Sequence, residues 1–176
     1  MIELIVLMGF KACGKSTIGQ ILAKKVGWPF VDLDKAIEAA HSLNFKENLT
    51  FREIFKKHGA PYFRQLETAT LSHIIGKSSQ VLALGGGTVT ETEGEKYLTK
   101  AFLIYLDAKK EVLWDRIIRG GLPPFLDGEN PRLTFEKLFE QRDAIYRKLA
   151  NLVVDNSDRD PVLVADEIAQ KIGFID

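Results

Sequence analysis

Short apolar runs alternate along this chain with longer segments whose apolar residues recur every three or four positions. Ile2 to Met8, Phe30 to Asp34, Val81 to Leu84, Ala101 to Leu106 and Leu152 to Val154 are the short runs. Their length and near-continuous hydrophobicity predict strands buried on both faces. Between them the helical period predicts helices over 18–27, 35–43, 110–119, from Thr134 to about Ala150, and from Pro161 to Gly173. Thr50 and Glu53 have capping-box spacing and open a helix that ends near Gly59. Pro61 suits the first turn of another helix, running through Ile75 with Gly76 as its stop. Residues 91–100 are expected to form a helix, 44–48 a polar break and 120–132 a loop.

Strands alternating with helices imply an α/β domain with a parallel sheet covered on both faces. At 176 residues the chain is expected to form one domain. Its 24 basic and 24 acidic residues cancel, which removes any general electrostatic case for nucleic acid or an anionic membrane as partner. No apolar run reaches the length of a membrane span, and the first one is too short and lacks the basic leader of a signal sequence. A single cysteine, Cys13, allows no internal disulfide, so a reducing, cytoplasmic setting is expected.

Candidate chemistry is densest directly after the first strand. Gly9 to Thr17 reads Gly-Phe-Lys-Ala-Cys-Gly-Lys-Ser-Thr and meets the pattern G-x-x-x-x-G-K-[ST] between a strand and a helix. Gly9 and Gly14 let the backbone turn so that the loop through Ala12, Cys13, Gly14 and on to Thr17 aims its amides at phosphate oxygens. The next helix adds its unpaired N–H groups and positive dipole end. Lys15 supplies a charge for the terminal phosphates, and Ser16 a hydroxyl for magnesium. The motif points to a nucleoside triphosphate such as ATP.

Two further features end strands and so should gather beside this loop, because ligands of such sheets bind at the carboxyl ends of the strands. Asp32 and Asp34, two apart in an extended segment, are expected to share a face, suited to holding magnesium and abstracting a proton. Gly85-Gly86-Gly87 follows the third strand and would let a ligand approach the backbone closely.

The chain resembles the shikimate kinase family over almost its whole length. The matching pieces are Gly9 to Thr17, Asp32-Leu33-Asp34, Glu53-Ile54-Phe55, Phe63-Arg64-Gln65-Leu66-Glu67 and Leu84-Gly85-Gly86-Gly87-Thr88-Val89. Ile104-Tyr105-Leu106, Arg142 with Tyr146, and Asp155 with Arg159 before Pro161 follow in the same order. The resemblance implies a three-layer P-loop kinase fold whose five parallel strands are ordered 2-3-1-4-5. Its substrate-binding segment would span about 34–64 and its lid about 119–132. It implies phosphate transfer from ATP to the 3-hydroxyl of shikimate, on the route to chorismate and the aromatic amino acids, by a monomer. By the same resemblance Asp34 binds the substrate hydroxyls and takes the proton, while Asp32 and Ser16 stand on the magnesium side. Arg64 and Arg142 grip the substrate carboxylate, Glu67 orients Arg64, and Gly86 gives a backbone contact. Arg116 and Arg159 frame the adenine.

Three stretches depart from the family pattern. Lys11-Ala12 stands where the family usually has Met or Pro followed by Gly, and His41 to Thr50 is longer and lacks the family's glycine. In the lid, Leu122-Pro123-Pro124-Phe125-Leu126 puts Pro123 where the family has an arginine, leaving Lys11 and Arg119 as the cations that could replace it. The residues alone leave open a kinase for another small acid such as gluconate, or a weakened relative that only binds nucleotide.

Overall fold

A computed structural model of the protein describes residues 2–76, 79–91 and 93–175. Five strands, β1 (Leu4–Met8), β2 (Phe30–Asp32), β3 (Gln80–Ala83), β4 (Phe102–Asp107) and β5 (Leu152–Asp155), form one sheet in the order β2-β3-β1-β4-β5. Every pairing is parallel. Among the described residues six α-helices accompany them: α1 (Lys15–Val26), α2 (Leu33–Phe45), α3 (Phe51–Ile74), α4 (Lys110–Arg119), α5 (Pro131–Leu149) and α6 (Pro161–Lys171). The strand order is the one expected.

The central strand explains the layers. Successive side chains of β1 point to opposite faces, so Ile5 and Leu7 join a core with Ile18 and Leu22 of α1 and Val164 and Ile168 of α6. Leu4, Val6 and Met8 join a second core with Leu33 and Ile37 of α2 and Ile54, Phe63 and Leu71 of α3. All five β1 residues are buried, which is why the strand carries apolar residues at both parities. The sheet is thus fixed from both sides, and its carboxyl edge is left to build the site.

Local boundaries differ from expectation in four places. β2 stops at Asp32, and Asp34 lies in the first turn of α2 rather than beside Asp32 on a strand. Asp32 is the N-cap: its Oδ1 accepts from the backbone N–H of Asp34 at 3.0 Å and of Lys35 at 3.4 Å. A capping carboxylate out-competed strand continuation there. The polar break begins later than Asn44, because α2 runs on to Phe45 and closes at Lys46 in the left-handed conformation. The expected helix over 91–100 is a single 3-10 stretch, Glu93–Tyr97, with Thr92 outside the described residues. Finally α5 begins at Pro131, capped by Asn130, whose side chain accepts from Leu133 N–H at 3.1 Å. Thr134 lies inside that helix and its hydroxyl bonds back to the Asn130 carbonyl.

The Thr50–Glu53 capping box is present as expected. The two helices expected around Gly59 and Pro61 are both present: α3 is two helical parts that meet at Gly59, whose backbone is not helical (φ 81°, ψ 170°). The kink lets one element pack along α2 with its first part and reach the sheet edge with its second.

Candidate active site

The carboxyl edge of the sheet opens into a cleft of about 430 Å³ lined by the phosphate loop, Asp32, Asp34, Arg52, Arg64, Glu67, residues 84–87, Glu91, Pro123 to Phe125 and Arg142. At one end lies the loop itself. Gly14 adopts φ 98° and sits so close to Asn156 that a Cβ there would lie 2.6 Å from its Nδ2. That amide donates to the Cys13 carbonyl at 2.8 Å and fixes the loop from outside. Lys15 folds back, its Nζ donating to the carbonyls of Gly9 at 2.8 Å and Phe10 at 3.0 Å. The Ser16 hydroxyl donates to Asp32 Oδ2 at 2.5 Å. One carboxylate thus caps α2 with one oxygen and holds the loop serine with the other. Two hard oxygen donors side by side next to a phosphate loop are the ligand type magnesium takes.

Cys13 takes part through its backbone alone. Its thiol is fully buried in the core, with Lys15 Nζ 3.7 Å from Sγ. Thr17 is exposed at the start of α1.

Asp34 sits between the two ends of the cleft. Burial first, and then the nearby Asp32 carboxylate, push its pKa up to about 6; Glu67 adds to the rise while Lys15 and Lys11 oppose it. Such a carboxyl is ionised at neutral pH yet basic enough to accept a proton in a transition state. Lys11 does not extend into bulk solvent. It lines the cleft, where burial and the charges of Arg52 and Lys15 lower its pKa and Asp34 pulls the other way.

At the far end three elements bring two guanidiniums together. Arg64, on the second part of α3, donates through Nη1 to Glu67 Oε2 at 2.7 Å. Glu67 is buried and its other oxygen accepts from Thr88 Oγ1 at 2.7 Å, so it holds Arg64 in one orientation. Gly87 permits this approach, since a Cβ there would meet Arg64 Nη2 at 2.7 Å. Arg142 comes from α5, buried, with its guanidinium carbon 5.4 Å from the Phe10 ring centre and 5.3 Å from that of Phe125. Tyr146, one turn on, donates its hydroxyl to the Gly86 carbonyl. Stacked and buried arginines of this kind are pre-organised for a planar carboxylate.

A carboxylate is in fact there. Glu91 Oε2 accepts from Arg64 Nη2 at 2.5 Å, and Glu91 Oε1 accepts from Arg142 Nη2. Neither Glu91 nor Arg52 stands out in the sequence, because no motif or periodicity links them to the loop. Asn156 is hidden in the same way.

Two expected residues stand apart from this cleft. Arg116 donates to the carbonyls of Ala12 (3.4 Å), Asn156 (3.1 Å) and Ser157, stitching α4 to the outer side of the phosphate loop. Arg159 lies at the surface, bonded to the Asp155 carbonyl at 3.2 Å and to Glu167 at 2.6 Å. Pro123 to Phe125 line the cleft, whereas Arg119 is exposed and outside its lining.

Fold and cleft together define the class: a P-loop kinase. The family model for shikimate kinase matches residues 11–173. The chain belongs to the shikimate kinase family. It is 36% identical over 168 residues to the shikimate kinase of Thermodesulfovibrio yellowstonii, covering 95% of this chain and 93% of that one. To the shikimate kinase of Pseudomonas putida KT2440 it is 37% identical over 169 residues, covering 96% and 95%. A solved shikimate kinase from Acinetobacter baumannii in complex with shikimate superposes with a TM-score of 0.88 at 31% identity, over 98% of this chain and 93% of that one. Among the described residues no helix is long and apolar enough to cross a membrane.

Proposed function

We propose that the protein transfers the terminal phosphate of ATP to the 3-hydroxyl of shikimate, giving shikimate 3-phosphate and ADP. The observation that carries this is the pair Arg64 and Arg142 converging on a carboxylate in the same cleft as the phosphate loop and Asp34. A substrate that placed its own carboxylate there would lie across the cleft toward Asp34. That is the disposition needed by a small cyclic acid whose reacting hydroxyl stands across the ring from its carboxylate.

The chain's own groups then divide the work. The substrate hydroxyl oxygen bonds to the terminal phosphorus as the bridging P–O bond to ADP breaks. Asp34 accepts the hydroxyl proton, a role its raised pKa favours. Lys15 leaves the loop carbonyls and balances charge on the terminal phosphates, while loop amides from Ala12 to Thr17 hold the others. Arg64, oriented by Glu67, and Arg142 hold the carboxylate, with Gly86 beside it. Ser16 and Asp32, the latter through water, would hold magnesium, which when bound neutralises charge on the β- and γ-phosphate oxygens. Arg116 and Arg159 would frame the adenine by the faces of their guanidiniums, since their N–H groups are engaged with backbone and Glu167. Residues 34–64 act as the substrate-binding segment and 119–132 as the lid of a single domain. A reducing cytoplasm suits the one buried thiol.

The deciding experiment is ADP release by purified protein with ATP and magnesium, run with shikimate, with gluconate and with no acceptor. Release is expected with shikimate alone. Faster release with gluconate, or none above background with either acid, would overturn the proposal.

A further inference from the structure

Far from the phosphate loop, at the other end of α2, a second cluster of ligating side chains stands between α2 and α3. His41 comes from α2, Glu47 from the connection that follows it, and His58 from α3 one residue before the Gly59 break. One ligand atom from each lies within 4.8 Å of the other two. His41 is completely buried, and the Nε2 atoms of both histidines are buried with no hydrogen-bond partner among the described residues. Buried polar nitrogens are normally satisfied, so two orphans in one cluster call for an explanation.

We propose that His41, Glu47 and His58 form a binding site for a divalent transition-metal ion of the zinc class. His41 Nε2 stands 3.8 Å from Glu47 Oε2, too far for a hydrogen bond. In a tetrahedral site with bonds of about 2.0–2.1 Å, neighbouring ligand atoms are about 3.4 Å apart, so a contraction of at most about 1.4 Å between any two of them would seat an ion. The other ring nitrogen of His41, Nδ1, lies 3.0 Å from the Tyr62 hydroxyl. A fixed partner of this kind on the far nitrogen is what holds a ligating imidazole in place. Phe45 stacks on His41 at 4.9 Å and Tyr62 lies 4.7 Å from His58, so aromatic rings flank both imidazoles.

The donor set decides the ion. Two imidazoles and one carboxylate suit zinc, cobalt, nickel or copper, whereas magnesium and calcium prefer oxygen throughout. Three protein ligands leave a fourth position for water. Lys57 bonds Glu47 Oε2 at 2.7 Å but its side chain is half exposed, so it can swing into solvent and release that oxygen. Two of its three ligands, His41 and Glu47, fall within the stretch His41 to Thr50 that departs from the family pattern. An ion there would clamp α2 to the first part of α3.

The test titrates chelator-stripped full-length protein with cobalt(II) as a spectroscopic probe, with zinc added in competition. One equivalent of cobalt is expected to give the intense visible bands of a tetrahedral complex, which zinc bleaches. Zinc should also raise the thermal midpoint by several degrees. Both effects should disappear in His58→Gln. Glu47→Gln, a change in an exposed connection, should weaken cobalt binding at least tenfold, and it decides the matter if His58→Gln does not fold. Failure to bind one equivalent at micromolar metal, or equal binding in the folded variants, would overturn the assignment.

Discussion

Arg142 donates to the carboxylate of Glu91, a partner 51 positions earlier in the chain, whose other oxygen takes Arg64. An internal side chain thus occupies the groups that a substrate acid would need. Glu91 is itself exposed and leads from the triple-glycine turn, so it can leave without disturbing the core. Glu91→Gln removes the charge that competes with the substrate. The KM for shikimate is expected to fall about threefold to tenfold, roughly 1 kcal/mol, with kcat and the KM for ATP little changed. Steady-state kinetics check this, and an unchanged or higher shikimate KM would show that Glu91 does not compete.

Arg64→Ala and Arg142→Ala would each leave the substrate carboxylate of the proposed complex with one guanidinium instead of two. Losing one member of a desolvated charge pair costs about 2–5 kcal/mol, so shikimate KM should rise about thirtyfold or more. ATP affinity should hardly move. Isothermal titration with each ligand separates the two, and equal losses would remove the carboxylate assignment.

Asp34→Asn keeps hydrogen bonding but cannot accept the proton, so turnover should collapse while shikimate still binds. Stability gives a second measure in magnesium-free buffer. The folded pKa of about 6 lies above the ordinary 3.8, so between these values the folded state holds more protons than the unfolded one. Stability from this group is therefore present below pH 3.8 and is lost as pH rises through 6. At pH 7 and above Asp34→Asn is expected to be more stable than wild type by about 1–3 kcal/mol. Urea unfolding at pH 5 and pH 8 should show the gain growing with pH; a gain that shrinks contradicts the burial account.

Lys15→Ala should abolish turnover, because in the proposed mechanism its charge moves to the terminal phosphates. Lys11 lines the cleft and Arg119 does not, which favours Lys11 over Arg119 in the proposal that one of them compensates for Pro123. Lys11→Met should lower kcat at saturating substrates by about tenfold or more, about 1.4 kcal/mol, and Arg119→Ala should leave it nearly unchanged. The reverse pattern would return the charge to the lid.

Much of the frame was readable in residue order because its causes are local. β1 announces itself as an apolar run, the loop after it by glycine, lysine and serine at fixed spacing, and α3 by Thr50 and Glu53. Parallel pairing then dictates that strand ends gather, which brings Asp32, Gly86 and the loop to one edge. Asp34 also reaches that edge, but through a cap rather than through strand alternation, because the Asp32 carboxylate satisfied the first amides of α2. Contacts across long sequence separations were opaque. Glu91 meets Arg64 from 27 positions away, and nothing near it in the sequence marks it. The proline-rich stretch around Pro123 showed that an arginine was missing, but only the folded cleft distinguishes Lys11 from Arg119.

The amide of Asn156 has a consequence for how the molecule is made. The phosphate loop directly follows β1, yet the side chain that fixes its Cys13 carbonyl lies 143 positions later, just past β5. A growing polypeptide therefore exposes the complete glycine-lysine-serine motif long before it can hold that motif in shape. Contacts of such separation form late, after the intervening strands have found their places. Fragments that stop before β5 should carry the signature and bind no ATP, so nucleotide capture would report that β5 and Asn156 are in place.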